Sequence, residues 1–221
     1  MFFYNSFFYS NGKPENIPDN FRSISNNIFI HKDNKEHIFL ENNNLGLFLL
    51  GNIFDPTILE HSRVKICKEL LQLLAINEQK MIYKINKLIG RFVIIYYKND
   101  TIYLINDASG MRSVFYGVIN DNFYCSSHAY LIAMQNKIIE KNDTINFSYG
   151  YPGLKTPYKN VYMHNPSFKF NLTTYKKNRI FPYLLEKDFE IKDIAKIITN
   201  RAKNVLKKIS NQNNESGGGG G

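Results

Sequence analysis

Apolar positions along this chain follow two rhythms, one of alternation or unbroken runs and one of returns every third or fourth residue. Residues 27–32 and 36–40 cluster β-formers on either side of the turn-forming Lys32, Asp33, Asn34 and Lys35. The run 45–50 follows the break at Asn42, Asn43 and Asn44 and suits a strand covered on both faces. Helical spacing comes next. Val64, Cys67, Leu70, Leu71 and Leu74 make one apolar stripe with Lys65, Lys68, Glu69 and Gln72 off it, and a shorter helix carries Met81, Ile82, Ile85, Leu88 and Ile89. Strands return over 91–97, 101–106, 113–119 and 123–127 with turn residues between them, and read locally they form an antiparallel meander. A short helix over 128–134 and a Pro- and Gly-bearing stretch over 150–166 follow. In the last helix Ile191, Ile194, Ala195, Ile198, Ala202, Val205, Leu206 and Ile209 share one stripe, and seven basic residues between Lys187 and Lys208 form its solvated face. Beyond Ser210 the polar, Gly-rich end has no core to join and reads as a flexible linker or an added tail.

Composition narrows the classes. With 221 residues, 43% of them apolar and 14% aromatic, the chain builds a real core, which excludes disorder for most of its length. Charged or amide residues interrupt every apolar run before it reaches bilayer length, and the start lacks the cationic and small-residue features of a signal peptide, so a cytoplasmic protein without membrane contact is expected. The net charge of +9 comes mostly from Lys, 22 of 28 cations, in company with 29 Asn. A joint excess of Lys, Asn, Ile, Tyr and Phe is what AT-rich coding produces, and without an Arg cluster or a nucleic-acid motif no nucleic-acid partner is expected.

Elementary catalytic signatures are missing. Cys67 and Cys125 fit no zinc spacing and read as reduced core residues. His31, His37, His61, His128 and His164 are scattered, so no metal site is expected, and GxSxG, GxGxxG and GxxxxGK[ST] are all absent. Taken by themselves, the residues say only "mixed α+β domain".

A larger pattern adds to that. Gly51, Ile53 and Phe54, then Leu88, Gly90 and Phe92, then Asp107, Gly110, Phe115 and Tyr116, then Ser127 and Leu131, fall in the order and spacing of four conserved blocks, and Thr156, Lys159, Val161 and Pro166 match a fifth. On these residues the chain resembles, over about 1–209, the N-terminal class II glutamine amidotransferase domain of asparagine synthetases and their relatives. The resemblance implies an α+β fold, a four-layer αββα sandwich of the N-terminal-nucleophile hydrolase type with two antiparallel sheets between helices. In that family the domain hydrolyses glutamine, and the ammonia goes to a second, ATP-using domain that adenylates a carboxylate and forms an amide.

The family's chemistry makes demands on particular positions. Its nucleophile is a Cys exposed as the first residue after Met removal, whose own α-amine accepts the proton. Here Phe2 occupies that position, and a side chain of that size also disfavours removal of Met1. The family's oxyanion pair, Asn-Gly before a Glu, aligns with Leu50 and Gly51 followed by Asn52. Leu donates no hydrogen bond, and one lost oxyanion donor costs about 3 kcal/mol. The arginine that holds the glutamine carboxylate is expected shortly before this strand, and residues 23–50 contain none.

The expectation is therefore a degenerate glutaminase-type domain with no catalytic residue, a relic pocket near Gly51, Asn52 and Asp107, and a structural or regulatory role. β-Lactam synthetases and lasso-peptide cyclases are relatives of this kind. Boundaries are expected at 1–185 for the amidotransferase-like domain, 186–210 for a basic connecting helix and 211–221 for the tail. Ser216, Gly217 and Gly218 supply half of the pyrophosphate loop SGGxDS, but Gly219 to Gly221 follow, so ATP and Mg2+ are expected only in a C-terminal synthetase domain, the partner in cis or in trans. A homodimer contact through this domain is compatible with the fold. Two alternatives stand: a fragment of a working glutamine-hydrolysing asparagine synthase, and a free-standing amino-acid- or amide-binding module.

Overall fold

A computed structural model of the chain describes residues 3–25, 27–58, 62–137, 139–142, 153–181 and 190–216. Phe2, His61, Lys187, Gly150 and the terminal glycines lie outside the described residues.

Twelve strands form two antiparallel sheets of six among the described residues. The first sheet contains β1 (Phe7–Ser10), β2 (Phe21–Ser25), β3 (Ile28–His31), β8 (Phe115–Ile119), β9 (Asn122–Ser126) and β10 (Val161–Met163), in the order β10-β8-β9-β1-β3-β2. The second contains β4 (His37–Asn42), β5 (Leu45–Phe54), β6 (Ile89–Lys98), β7 (Thr101–Asn106), β11 (Phe168–Asn171) and β12 (Lys177–Arg179), in the order β12-β11-β7-β6-β5-β4. Helices α1 (Arg63–Ile76), α2 (Glu78–Ile85), α3 (Ala129–Ala133) and α4 (Ile191–Ser216) complete the chain.

Alternation along the strands builds three apolar layers. Leu47, Leu49 and Ile53 of β5 with Phe92, Ile94 and Tyr96 of β6 meet Ile66, Cys67, Leu70 and Leu74 of α1 and Met81, Ile82 and Ile85 of α2. The opposite faces of the same strands, Phe48, Leu50, Val93 and Ile95, meet Phe7, Tyr9, Phe123 and Cys125 of the first sheet. Behind that sheet Phe8 and Tyr124 pack on Leu131, Ile132 and Ala133 of α3. The order is helix, sheet, sheet, helix, the αββα sandwich that the resemblance implied. At about 1.5–3 kcal/mol for each large aliphatic side chain, these layers dominate the stability.

The run 45–50 is covered on both faces, as expected of it. Three local readings are corrected. Val64 is exposed, and Ile66 takes its place in the buried stripe of α1. Leu88 and Ile89 lie beyond α2, and Ile89 opens β6. The meander is split, because β6 and β7 pair in the second sheet while β8 and β9 pair in the first. Strands β3 and β4 are divided between the sheets in the same way. Both junctions are built on buried side chains that bind backbone. In the first, Asn34 Oδ1 accepts from the Glu36 N–H at 2.9 Å. In the second, the carboxylate of Asp107 accepts from the Met111 N–H at 3.0 Å and the Arg112 N–H at 2.9 Å. Strands β1, β2, β10, β11 and β12 carry no recognised pattern; all but β2's five residues are four long or shorter.

His164 supplies a pH dependence. It is buried against Phe170, with ring centroids 5.3 Å apart, and its Nε2–H donates to the Phe168 carbonyl at 3.0 Å. Burial pushes its pKa down to about 4, and the charge of Lys177 adds to that. The neutral form belongs to the folded state, so this stability is present above the unfolded value near 6.5 and is lost as pH falls toward 4. The loss is on the order of 3 kcal/mol. Urea unfolding at pH 6.5 and 4 is expected to show a correspondingly smaller fall for His164→Phe, and equal falls would remove His164 as the cause.

Candidate functional site

The two crossovers, between β3 and β4 and between β7 and β8, border a cavity of about 560 Å³ that is open to solvent at one end of the sandwich. Its lining includes Tyr4 and Asn5 before β1, Glu36 of the first crossover, Asn52 of β5, Arg91 of β6, Arg112 and Ser113 of the second crossover, and Ser127 and His128 after β9.

Gly51 sets the geometry of the rim. Its φ of +103° lies in the left-handed region, and a Cβ there would sit 2.3 Å from the Arg91 carbonyl oxygen across the β5–β6 ladder. The Gly51 N–H donates to the Glu36 carbonyl at 3.2 Å, and Arg63 Nη1 donates to both the Glu36 and Gly51 carbonyls at 3.0 Å. The first turn of α1 thereby ties the first crossover to β5. The result presents Asn52, the next residue, at the cavity.

Asp107 is 2% exposed and is not among the lining residues. Its carboxylate also accepts from Ser109 Oγ at 2.7 Å, so it organises the turn that delivers Arg112 to the cavity. Arg112 Nη2 donates to the Asn5 carbonyl at 2.6 Å, and Nη1 lies 3.3 Å from Glu36 Oε2. Burial lowers the Arg112 pKa and Glu36 opposes this, and a guanidinium stays charged throughout. Arg91 Nε donates to the Met111 carbonyl at 3.1 Å. His128 Nδ1 lies 3.0 Å from Ser6 Oγ, and burial, helped by Arg112, lowers its pKa and favours the neutral imidazole. Ser6 is fully buried beneath it, and no carboxylate pairs with His128 among the described residues, so the pair is not a hydrolytic triad.

Neither thiol lines this cavity. Cys67 is fully buried in the helix–sheet core, where burial pushes its pKa up to about 12, and Cys125 is fully buried between the sheets and also pushed up. Both are protonated at neutral pH and sealed from solvent, the opposite of an activated nucleophile.

The structure thus brings Asn52 to the cavity, puts Gly51 at its rim and sets Asp107 behind it. Sequence reasoning missed Glu36, Arg91 and Arg112. A signal existed: cations here are overwhelmingly Lys, so the six Arg are conspicuous, and Arg63, Arg91 and Arg112 all converge on this end. Each donates to a backbone carbonyl, a task suited to a planar guanidinium with several fixed donors.

No family model matches the sequence, and no curated protein matches it. Among solved structures the chain is similar to the allosteric regulatory enzyme of purine biosynthesis, with a TM-score of 0.45 and 14% identity over 68% of this chain and 32% of that one. It is also similar to glutamine phosphoribosylpyrophosphate amidotransferase from B. subtilis, complexed with ADP and GMP, with a TM-score of 0.42 and 12% identity over 71% of this chain and 35% of that one. The chain spans about a third of the length of these structures.

Proposed function

We propose that this chain is a glutamine-amidotransferase-like domain of an asparagine-synthetase-like, amide-forming system that keeps the scaffold and pocket and has lost the hydrolysis. The observation that carries the reading is the placement of both thiols in sealed cores, outside a cavity lined by arginines, amides and hydroxyls. A role in shaping and covering a synthetase partner follows, in cis or in trans, with α4 as the connector. Its Ile191, Ile198 and Leu206 are exposed, and it touches the body through Asn204 Nδ2, which donates to the Pro56 carbonyl at 2.9 Å. ATP and Mg2+ would belong to that partner. A phosphate loop needs a strand before its glycines, and Ser216 instead ends a helix, which is why this reading gives the ATP chemistry to the partner.

The purified chain is expected to release no ammonia from glutamine above a buffer blank, the same as the Cys67→Ala, Cys125→Ala double variant. Release that exceeds the buffer blank would overturn the reading. A coding sequence for a strand followed by SGGxDS downstream of this segment would identify the synthetase partner.

A second reading, an amino-acid- or amide-binding module, is favoured by the charged lining of the cavity, with Arg91 and Arg112 facing Asn52 and Glu36. Thermal unfolding with glutamine, asparagine and aspartate tests it. A ligand at 100 times its Kd stabilises by about 2.7 kcal/mol, and no shift at millimolar concentration counts against the module.

A further inference from the structure

At one edge of the sandwich the layer between the sheets is open. By alternation Tyr116 and Val118 of β8, Phe123 of β9 and Tyr162 of β10 point toward the second sheet, and Phe170 of β11 and Lys177 of β12 point back at them. Deeper in this layer Phe7, Leu50 and Val93 are buried, but here Val118 is 47% exposed, Tyr162 41% and Tyr175 44%. Between them lies a cleft of about 390 Å³, within the roughly 300–1,000 Å³ of small-molecule sites. It is formed by the edge-strand pairs β10–β8 and β12–β11, and its lining shares no residue with that of the polar cavity.

Its chemistry is specific. Tyr116 contacts Phe170 edge-on at 5.0 Å between centroids and Phe123 stacks on Tyr175 at 4.5 Å; Phe123 and Phe170 are buried, and Tyr162 and Tyr175 keep exposed ring surface at the cleft. Lys177 Nζ sits 3.8 Å from the centroid of Tyr116 and donates to its hydroxyl at 2.6 Å. Among the described residues no carboxylate pairs with this ammonium. A half-buried cation held by aromatic rings and one hydroxyl has donors left for an anion, and charge-assisted hydrogen bonds are the strong ones. An inward lysine on a three-residue edge strand also guards against pairing with another chain, but that role needs no aromatic cleft beside it.

The geometry points to a second ligand site in this cleft, for a planar ring that carries one acidic group, the ring stacking on the tyrosines and the acid meeting Lys177. The ring and acid can come from a nucleotide or from an aromatic carboxylate, and the probes separate the two. The chain has no Trp, so Tyr162→Trp places a single indole at the cleft as a reporter. It is titrated with adenosine monophosphate and 2-naphthoate, and with adenosine and 2-naphthamide as uncharged counterparts. Calorimetric titration of the unsubstituted chain repeats the measurement without the reporter.

At least one anionic probe is expected to bind saturably below about 1 mM, at least about tenfold tighter than its uncharged counterpart. Lys177→Met removes that tenfold preference and Lys177→Arg restores it, while Arg91→Gln in the polar cavity changes neither. Saturation by the monophosphate alone assigns the site to nucleotides, and by the naphthoate alone to arene acids. The proposal is overturned by no saturable binding of either anion, by equal binding of charged and uncharged probes, by a preference that survives Lys177→Met, or by a preference lost in Arg91→Gln.

Discussion

Gly51→Ala is expected to destabilise the chain by about 4 kcal/mol and to disrupt the rim of the polar cavity. Two effects add. A φ of +103° is open to glycine and costs a residue with a Cβ on the order of 1–3 kcal/mol. The added Cβ would also stand 2.3 Å from the Arg91 carbonyl oxygen, a backbone atom inside the β5–β6 ladder that no rotamer change can move. Relief requires the ladder to part where Arg63 ties Gly51 to the first crossover. Gly153 is the comparison, since its φ of +64° is also positive and, among the described residues, nothing lies within 4 Å of a Cβ built there. Gly153→Ala is expected to cost only about 1 kcal/mol, the conformational part alone. Urea unfolding of both variants separates the effects, and equal losses would mean that the close approach to Arg91 contributes nothing.

Asp107→Ala is expected to cost about 4 kcal/mol, through a different mechanism. The buried carboxylate accepts from Ser109 Oγ and from the Met111 and Arg112 N–H groups, and hydrogen bonds to a charged group are worth about 1.5–3 kcal/mol each. Exposed Met111 recovers part of its loss to water, which keeps the total below the sum. Asp107→Asn retains one carbonyl acceptor and is expected to lose about half as much. Because this turn delivers Arg112 to Asn5 and Glu36, the variant also frees the cavity's half-buried guanidinium. Amide exchange at Met111 and Arg112 is the direct readout. Unchanged protection there, with less than about 1 kcal/mol lost, would show that the turn forms without its carboxylate.

Much of the local structure was legible in the sequence, and the exceptions share a cause. The two-sided burial of β5 followed from an unbroken apolar run, and α1 from its 3.6-residue spacing, although Ile66, beside Cys67, fills the stripe in place of Val64, which lies about 200° away around the helix. The candidate site was half legible. Gly51, Asn52 and Asp107 came from the resemblance to the amidotransferase blocks and not from periodicity, and Asp107 acts behind the cavity wall. Arg91, Arg112 and Glu36 were not visible, since Arg112 and Glu36 are 76 positions apart and meet only where the two crossovers pass.

What the sequence by itself determined is the helices and most of the longer strands, most of their apolar faces, and that the thiols belong to cores. Only the tertiary structure decided that the apparent meander divides between two sheets, that arginines converge at one end, and that the inner layer opens at the β10 and β12 edge. The reason is physical. Periodicity reports the two faces of a segment, but the sheet it joins depends on packing between distant residues. A turn that closes a hairpin and a turn that crosses between sheets use the same residue types. The buried Asp107 and Asn34, binding backbone at the two junctions, make that choice here.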